Sequence, residues 1–157
     1  MEIERKWLIV GDYPKDGFKI HAMVAQSYIS INPEVRVRSY MPIKGKLHSD
    51  APYLMTIKGD GDLVRKEIEF PISLEAYNDC LRFAGNKNPV IKDYYIYDYD
   101  GYEIELSIVD NGVFIYAEVE FISEEEANKF VFPWENVIEI TEDPSYKMKN
   151  YWNRTRK

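Results

Sequence analysis

Like charges recur two residues apart in this chain, as Glu2-x-Glu4, Arg36-x-Arg38, Glu67-x-Glu69, Glu103-x-Glu105 and Glu118-x-Glu120. The residues between them are apolar: Ile3, Val37, Ile68, Ile104 and Val119. Successive side chains of a strand point to opposite faces, so this spacing describes two-faced strands, charged on one side and apolar on the other. Lys6, Lys58, Arg65 and Lys92 extend the charged set. A solvated sheet face mixes signs and uncharged polar residues, whereas here like charges stand side by side, which destabilises a strand unless something neutralises them. Clustered carboxylates suit a hard divalent cation, and clustered guanidinium and ammonium groups suit phosphate oxygens. The charged strands carry eight carboxylates against six cations, an excess of negative charge that two Mg²⁺ ions would reverse, leaving a surface fit for a polyanion.

Turn signals at Gly59-Asp60-Gly61, Asp100-Gly101 and Asp110-Asn111-Gly112 divide the chain into short β-like runs. Strands are expected over 2–10, 24–31, 34–41, 53–59, 62–71, 90–99, 101–109 and 114–122, eight in all and mostly antiparallel. Ser73 caps a predicted helix carrying Leu74, Tyr77, Leu81 and Ala84, and Ser123 with Glu126 reads as a capping box for a second. A third helix, after Pro144 and carrying Met148, Tyr151 and Trp152, is expected on the outside of the sheet. With 157 residues, no repeat and no linker, residues 1–157 read as one domain. The formal charge of -7 argues against a nucleic-acid duplex as partner. A lone Cys80, read as a packed core thiol, and the lack of any long apolar run lead to the expectation of a cytoplasmic protein with no membrane partner. His21 and His48 read as surface or loop histidines. The alternation alone leaves open which face of a barrel is inward, since barrels of about eight strands usually fill with apolar side chains.

The opening Glu2-Ile3-Glu4-Arg5-Lys6 resembles the ExExK signature of the CYTH superfamily, the triphosphate tunnel metalloenzymes. The order of later segments is similar too: Gln26-Ser27-Tyr28, Arg36-Val37-Arg38, Thr56-Ile57-Lys58, Arg65-Lys66-Glu67-Ile68-Glu69, Glu118-Val119-Glu120, and Glu139-Ile140-Thr141 with Tyr146. The resemblance implies a closed eight-stranded antiparallel barrel with the charged face lining a tunnel and helices outside. It implies metal ligation by Glu2, Glu4, Glu118 and Glu120, and a phosphate grip by Lys6, Arg36, Arg38, Lys58, Arg65 and Lys92. Tyr28 and Lys58 are then candidates for proton transfer, and Glu67, Glu69, Glu103 and Glu105 for orienting the basic residues. The cofactor expected is Mg²⁺ or Mn²⁺, one or two ions, because the ligands are all oxygen. Two positions depart from the family pattern: Tyr94 stands where an Arg is usual, and Glu105 where an Asp is usual. The activity implied is hydrolysis of the terminal phosphoanhydride of a triphosphate-containing small molecule. The alternatives are a class IV adenylate cyclase, a thiamine triphosphatase and a non-catalytic polyphosphate-binding module.

Overall fold

The period-two charge pattern is realised as a single antiparallel sheet. In the computed structural model, which describes residues 1–157, the strands are β1 (Glu2–Ile9), β2 (Ile20–Ser30), β3 (Glu34–Lys44), β4 (Tyr53–Lys58), β5 (Val64–Arg65), β6 (Glu67–Pro71), β7 (Val90–Tyr99), β8 (Tyr102–Val109), β9 (Phe114–Glu120) and β10 (Val137–Glu139). Their order is β10-β1-β9-β8-β7-β2-β3-β4-β6, and β5 pairs with β1. The expected strand 62–71 is therefore two strands. It breaks at Lys66: β5 pairs with β1 through Glu2 and Arg65, while β6 pairs with β4 through Lys58 and Glu67. One segment bonding two different strands has to bend, and that bend brings the ends of the sheet together into a barrel. Gly61 permits the approach to it. Its φ is +134°, and a Cβ there would lie 2.2 Å from the Val64 carbonyl oxygen, so only glycine fits.

Residues directly opposite in an antiparallel ladder share a face. Glu4 lies opposite Glu120, Lys6 opposite Glu118, Glu105 opposite Glu118, and Thr56 opposite Arg36 on one side and Glu69 on the other. The register thus collects the charged positions on one surface, and they line one interior cavity. The apolar face is outward. Helix α1 (Leu74–Phe83) is capped by Ser73, whose side chain accepts from the Ala76 N–H, and it buries Tyr77 and Cys80 with Val37. Helix α2 (Glu124–Lys129) is capped by Ser123. Its Ala127 packs with Trp7, Val119 and Phe121, with Phe130, Phe132 and Trp134 closing over the same surface. Helices and aromatics on the outside are what allow the inside to be charged.

The third helix is placed otherwise than expected. Helix α3 (Met148–Thr155), entered through a 3-10 turn at Pro144–Tyr146, packs Met148, Tyr151 and Trp152 against Tyr28, Val90, Val109 and Tyr116. By register those residues share the face of Arg36, Lys92, Glu105 and Glu118. The helix therefore stops one end of the barrel from within. Its amphipathic pattern shows which of its sides is buried, but not which face of the sheet receives it.

Candidate active site

The interior cavity has a volume of about 260 Å³, and all six predicted cations line it: Lys6, Arg36, Arg38, Lys58, Arg65 and Lys92. Seven of the eight carboxylates do so as well, Glu103 being the one left out. Glu103 stands at the rim, where it pairs with Lys19 at 2.5 Å and His48 at 2.7 Å and orients none of the six cations. Tyr28 sits behind the cavity wall at the plugged end, 3% exposed, its hydroxyl accepting from Gln26 Nε2 at 3.0 Å. Burial pushes its phenol above the ordinary range, although Arg36 opposes the shift.

The cations fall into two groups. Four are tied to carboxylates: Lys58 to Glu2 at 2.8 Å, Arg38 to Glu69 at 2.8 Å, Arg65 to Glu34 at 2.8 Å and Arg36 to Glu34 at 3.8 Å. Glu69 also accepts from Thr56 at 2.7 Å, which fixes its carboxylate towards Arg38. Lys6 and Lys92 are not tied in this way. Lys92 is 6% exposed and has no carboxylate partner, and burial sets its ammonium well below the usual lysine range. Lys6 donates to the Tyr146 carbonyl at 2.6 Å and likewise pairs with no carboxylate. Of the tied arginines, Arg36 and Arg38 keep a buried Nε without a partner. Cations without carboxylate partners lining one cavity suit an oxyanion, because a buried charge left unsatisfied is costly.

Glu2, Glu4 and Glu120 each offer a carboxylate oxygen, and the three oxygens lie within 4.8 Å of one another. Burial, with Glu118 nearby, holds Glu4 well above the ordinary carboxylate range; burial, with Glu2 and Glu118, also raises Glu120. Glu67 is raised to about 8 by burial and by its hydrogen bond to Glu2. Crowded carboxylates that retain protons fit a divalent cation, which would relieve the repulsion and take their place. Glu118 lies outside the trio whose oxygens converge but shares a hydrogen bond with Glu4. Burial opposes its ionisation, but Lys6, Lys92 and Lys58, together with the hydrogen bond from Glu4, hold it at about 2.

The alternation also carried residues that the charge pairs by themselves did not reveal. Glu34, 4% exposed, is two residues before Arg36 and bonds Arg65; Tyr116 is two residues before Glu118 and shares its face. Extending each charged face by one more i+2 step finds both.

No family model matches the chain. It is 32% identical over 155 residues to the inorganic triphosphatase of Nitrosomonas europaea, in an alignment covering 94% of each protein. The chain belongs to the CYTH superfamily. It superposes on a crystal structure of an inorganic triphosphatase with a TM-score of 0.61 and 27% identity, over 96% of this chain and 93% of that one. A conserved hypothetical protein of Pyrococcus furiosus shares the fold, with a TM-score of 0.55 at 20% identity over 82% of this chain and 84% of that one. As a CYTH barrel, the chain departs from the usual barrel rule in the sense its spacing allowed, with charge inside and apolar side chains outside. The two departures at Tyr94 and Glu105 lie together in this lumen, the Tyr94 hydroxyl donating to the Glu105 carboxyl. No helix of the protein is long and apolar enough to cross a membrane.

Proposed function

We propose that this protein hydrolyses the terminal phosphoanhydride of inorganic tripolyphosphate, using Mg²⁺ or Mn²⁺ held by Glu2, Glu4 and Glu120. One observation carries the reading: Lys6 and Lys92, which pair with no carboxylate, and Arg36 and Arg38, which each keep an unbonded Nε, converge on the cavity that the three-carboxylate cluster also lines. The similarity to a protein named inorganic triphosphatase supports the substrate class. Phosphoryl transfer depends chiefly on positioning and charge stabilisation, and the lumen supplies both with fixed groups. Arg36 and Arg38 would take phosphate oxygens through their guanidinium groups, and Glu69 would hold Arg38 in place for that contact. Lys6 and Lys92, with Glu118 beside them, would line the path of the central phosphates. Lys58, tied to Glu2, would stand between the carboxylate trio and the phosphate grip. Tyr28 would act indirectly, through its neighbour Arg36, because it does not line the cavity. A bound divalent cation would supply Lewis-acid neutralisation of phosphate charge.

An organic triphosphate is a second reading, favoured by Tyr40, Leu47, Tyr94 and Ile96, which line the same cavity with surface a bare polyphosphate leaves unused. The test is a turnover screen of tripolyphosphate, ATP and thiamine triphosphate with Mg²⁺ or Mn²⁺, reading phosphate and cyclic AMP. Phosphate release from tripolyphosphate is expected to be fastest, and Glu2→Gln or Glu4→Gln to lose most of it at limiting metal. Cyclic AMP from ATP would establish the cyclase instead. Saturable binding with no metal-dependent release from any of the three would overturn the enzymatic reading and leave a binding module.

A further inference from the structure

Lys6 lies directly opposite Glu118 in the β1–β9 ladder and two residues from Glu4, so a carboxylate partner is within easy reach on either side. Its ammonium takes neither. It lies 3.9 Å from the centroid of the Tyr116 ring, and the Lys92 ammonium lies 5.3 Å from the same centroid. Tyr116 is 1% exposed. Its ring is stacked on Phe114 at 5.9 Å, and Phe114 is in turn held edge-on by Tyr146 and Tyr151 of the segment that plugs the barrel. One immobilised aromatic ring thus adjoins two ammonium groups, that of half-buried Lys6 and that of buried Lys92, neither of which forms an ion pair with a carboxylate.

We propose that Tyr116 is a positioning residue for anion binding, its ring holding the Lys6 and Lys92 ammonium groups in the lumen and off the neighbouring carboxylates. An aromatic face attracts a cation through its quadrupole without accepting its N–H bonds in the way a carboxylate does. A lysine collapsed onto Glu118 would have to break an ion pair before it could meet a phosphate oxygen. A lysine resting on Tyr116 has donors to spare. The inference rests on the triphosphatase reading, since the anion in question is its substrate.

The test uses the full chain with Mg²⁺ and a non-hydrolysable imido analogue of tripolyphosphate, followed by calorimetry. Phe and then mono-, di- and trifluorophenylalanine are placed at position 116, a series that withdraws charge from the ring face while scarcely changing its volume. Tyr116→Phe is expected to bind within about twofold of wild type, and affinity to fall stepwise along the series by about tenfold in total at nearly constant melting temperature. In turnover the same loss is expected in KM more than in kcat. In the wild-type protein, ring-current upfield shifts of the Lys6 ε-methylene protons report the stacking directly, without any variant. Equal affinity across the fluorinated series, or unshifted Lys6 protons, would overturn the role of Tyr116 while leaving the triphosphatase reading intact. Failure of wild type to bind the analogue would overturn both.

Discussion

The Tyr94 hydroxyl donates a hydrogen bond to the Glu105 carboxyl inside the barrel. These are the two positions at which the chain departs from the usual CYTH pattern, and here they are partners. Burial and the nearby Glu118 raise the Glu105 carboxyl to about 7, and the bond from Tyr94 works against that rise. A cation at position 94 would have paired with Glu105 or with phosphate; the phenol instead satisfies the carboxyl and brings no charge.

Tyr94→Phe removes that donor and leaves the carboxyl without it in the lumen. Leaving one enclosed polar group unpaired costs about 1–3 kcal/mol. The variant is therefore expected to unfold at lower denaturant with an unchanged slope, and the Glu105 carboxyl to titrate above its wild-type value. Carbon-detected NMR of the Glu105 side chain measures the second effect; an unmoved or lowered Glu105 pKa would contradict the assignment of Tyr94 as its donor.

The metal-free protein should also lose stability as pH rises through neutrality. Glu67 at about 8 and Glu105 at about 7 lie above the ordinary carboxylate value of 4.5. Between that value and their own, the folded state holds protons that the unfolded chain has released, so their contribution is fully present at low pH and is lost as pH rises through about 7 to 8. Glu118 has the opposite sign. Its carboxyl at about 2 contributes stability above the ordinary value, and this is lost only in strong acid. In chelator the melting temperature is expected to fall from about pH 5 to about pH 8, where both carboxyls have ionised, the slope flattening in Glu67→Gln. Added Mg²⁺ should remove much of the decline by taking the place of the protons. A melting temperature that climbs over this range in chelator would show that these carboxyls are not raised.

Much of this site was readable locally. Side-chain alternation is a property of the strand itself, so the charged face, the spacing of Glu2 with Glu4 and the apolar positions Val37 and Val119 followed from sequence alone. What was not legible depends on contacts distant in the chain. The break at Lys66 arises because Arg65 must reach Glu2 while Glu67 reaches Lys58, and no local propensity encodes a change of partner. Lys6 finds the Tyr146 carbonyl 140 residues away, and Lys147 finds Asp62 at 2.8 Å, contacts that exist only once the plug is seated. Which carboxylates converge was likewise a matter of register. Four Glu residues share the metal pattern by spacing; Glu2, Glu4 and Glu120 bring three oxygens together, while Glu118 adjoins them through its hydrogen bond to Glu4.

The plug itself gives the last prediction. Trp152 is 4% exposed, and its ring lies 5.8 Å from that of Tyr28, so the helix end and the site's tyrosine share one packed cluster. Trp152→Ala deletes a large buried ring and should cost about 3–5 kcal/mol. The consequence should reach the site. Without that ring Tyr28 loses its backing, and the Arg36 guanidinium beside it loses a fixed neighbour. At a temperature where the variant is still fully folded, the Mg²⁺ requirement should hardly change, because Glu2, Glu4 and Glu120 lie outside the cluster that Trp152 joins. The KM for tripolyphosphate, by contrast, should rise several-fold. Metal titrations and substrate titrations on the same preparation separate the two effects. A variant with a weakened metal requirement and an unchanged KM would show that the plug supports the carboxylates and not the phosphate grip.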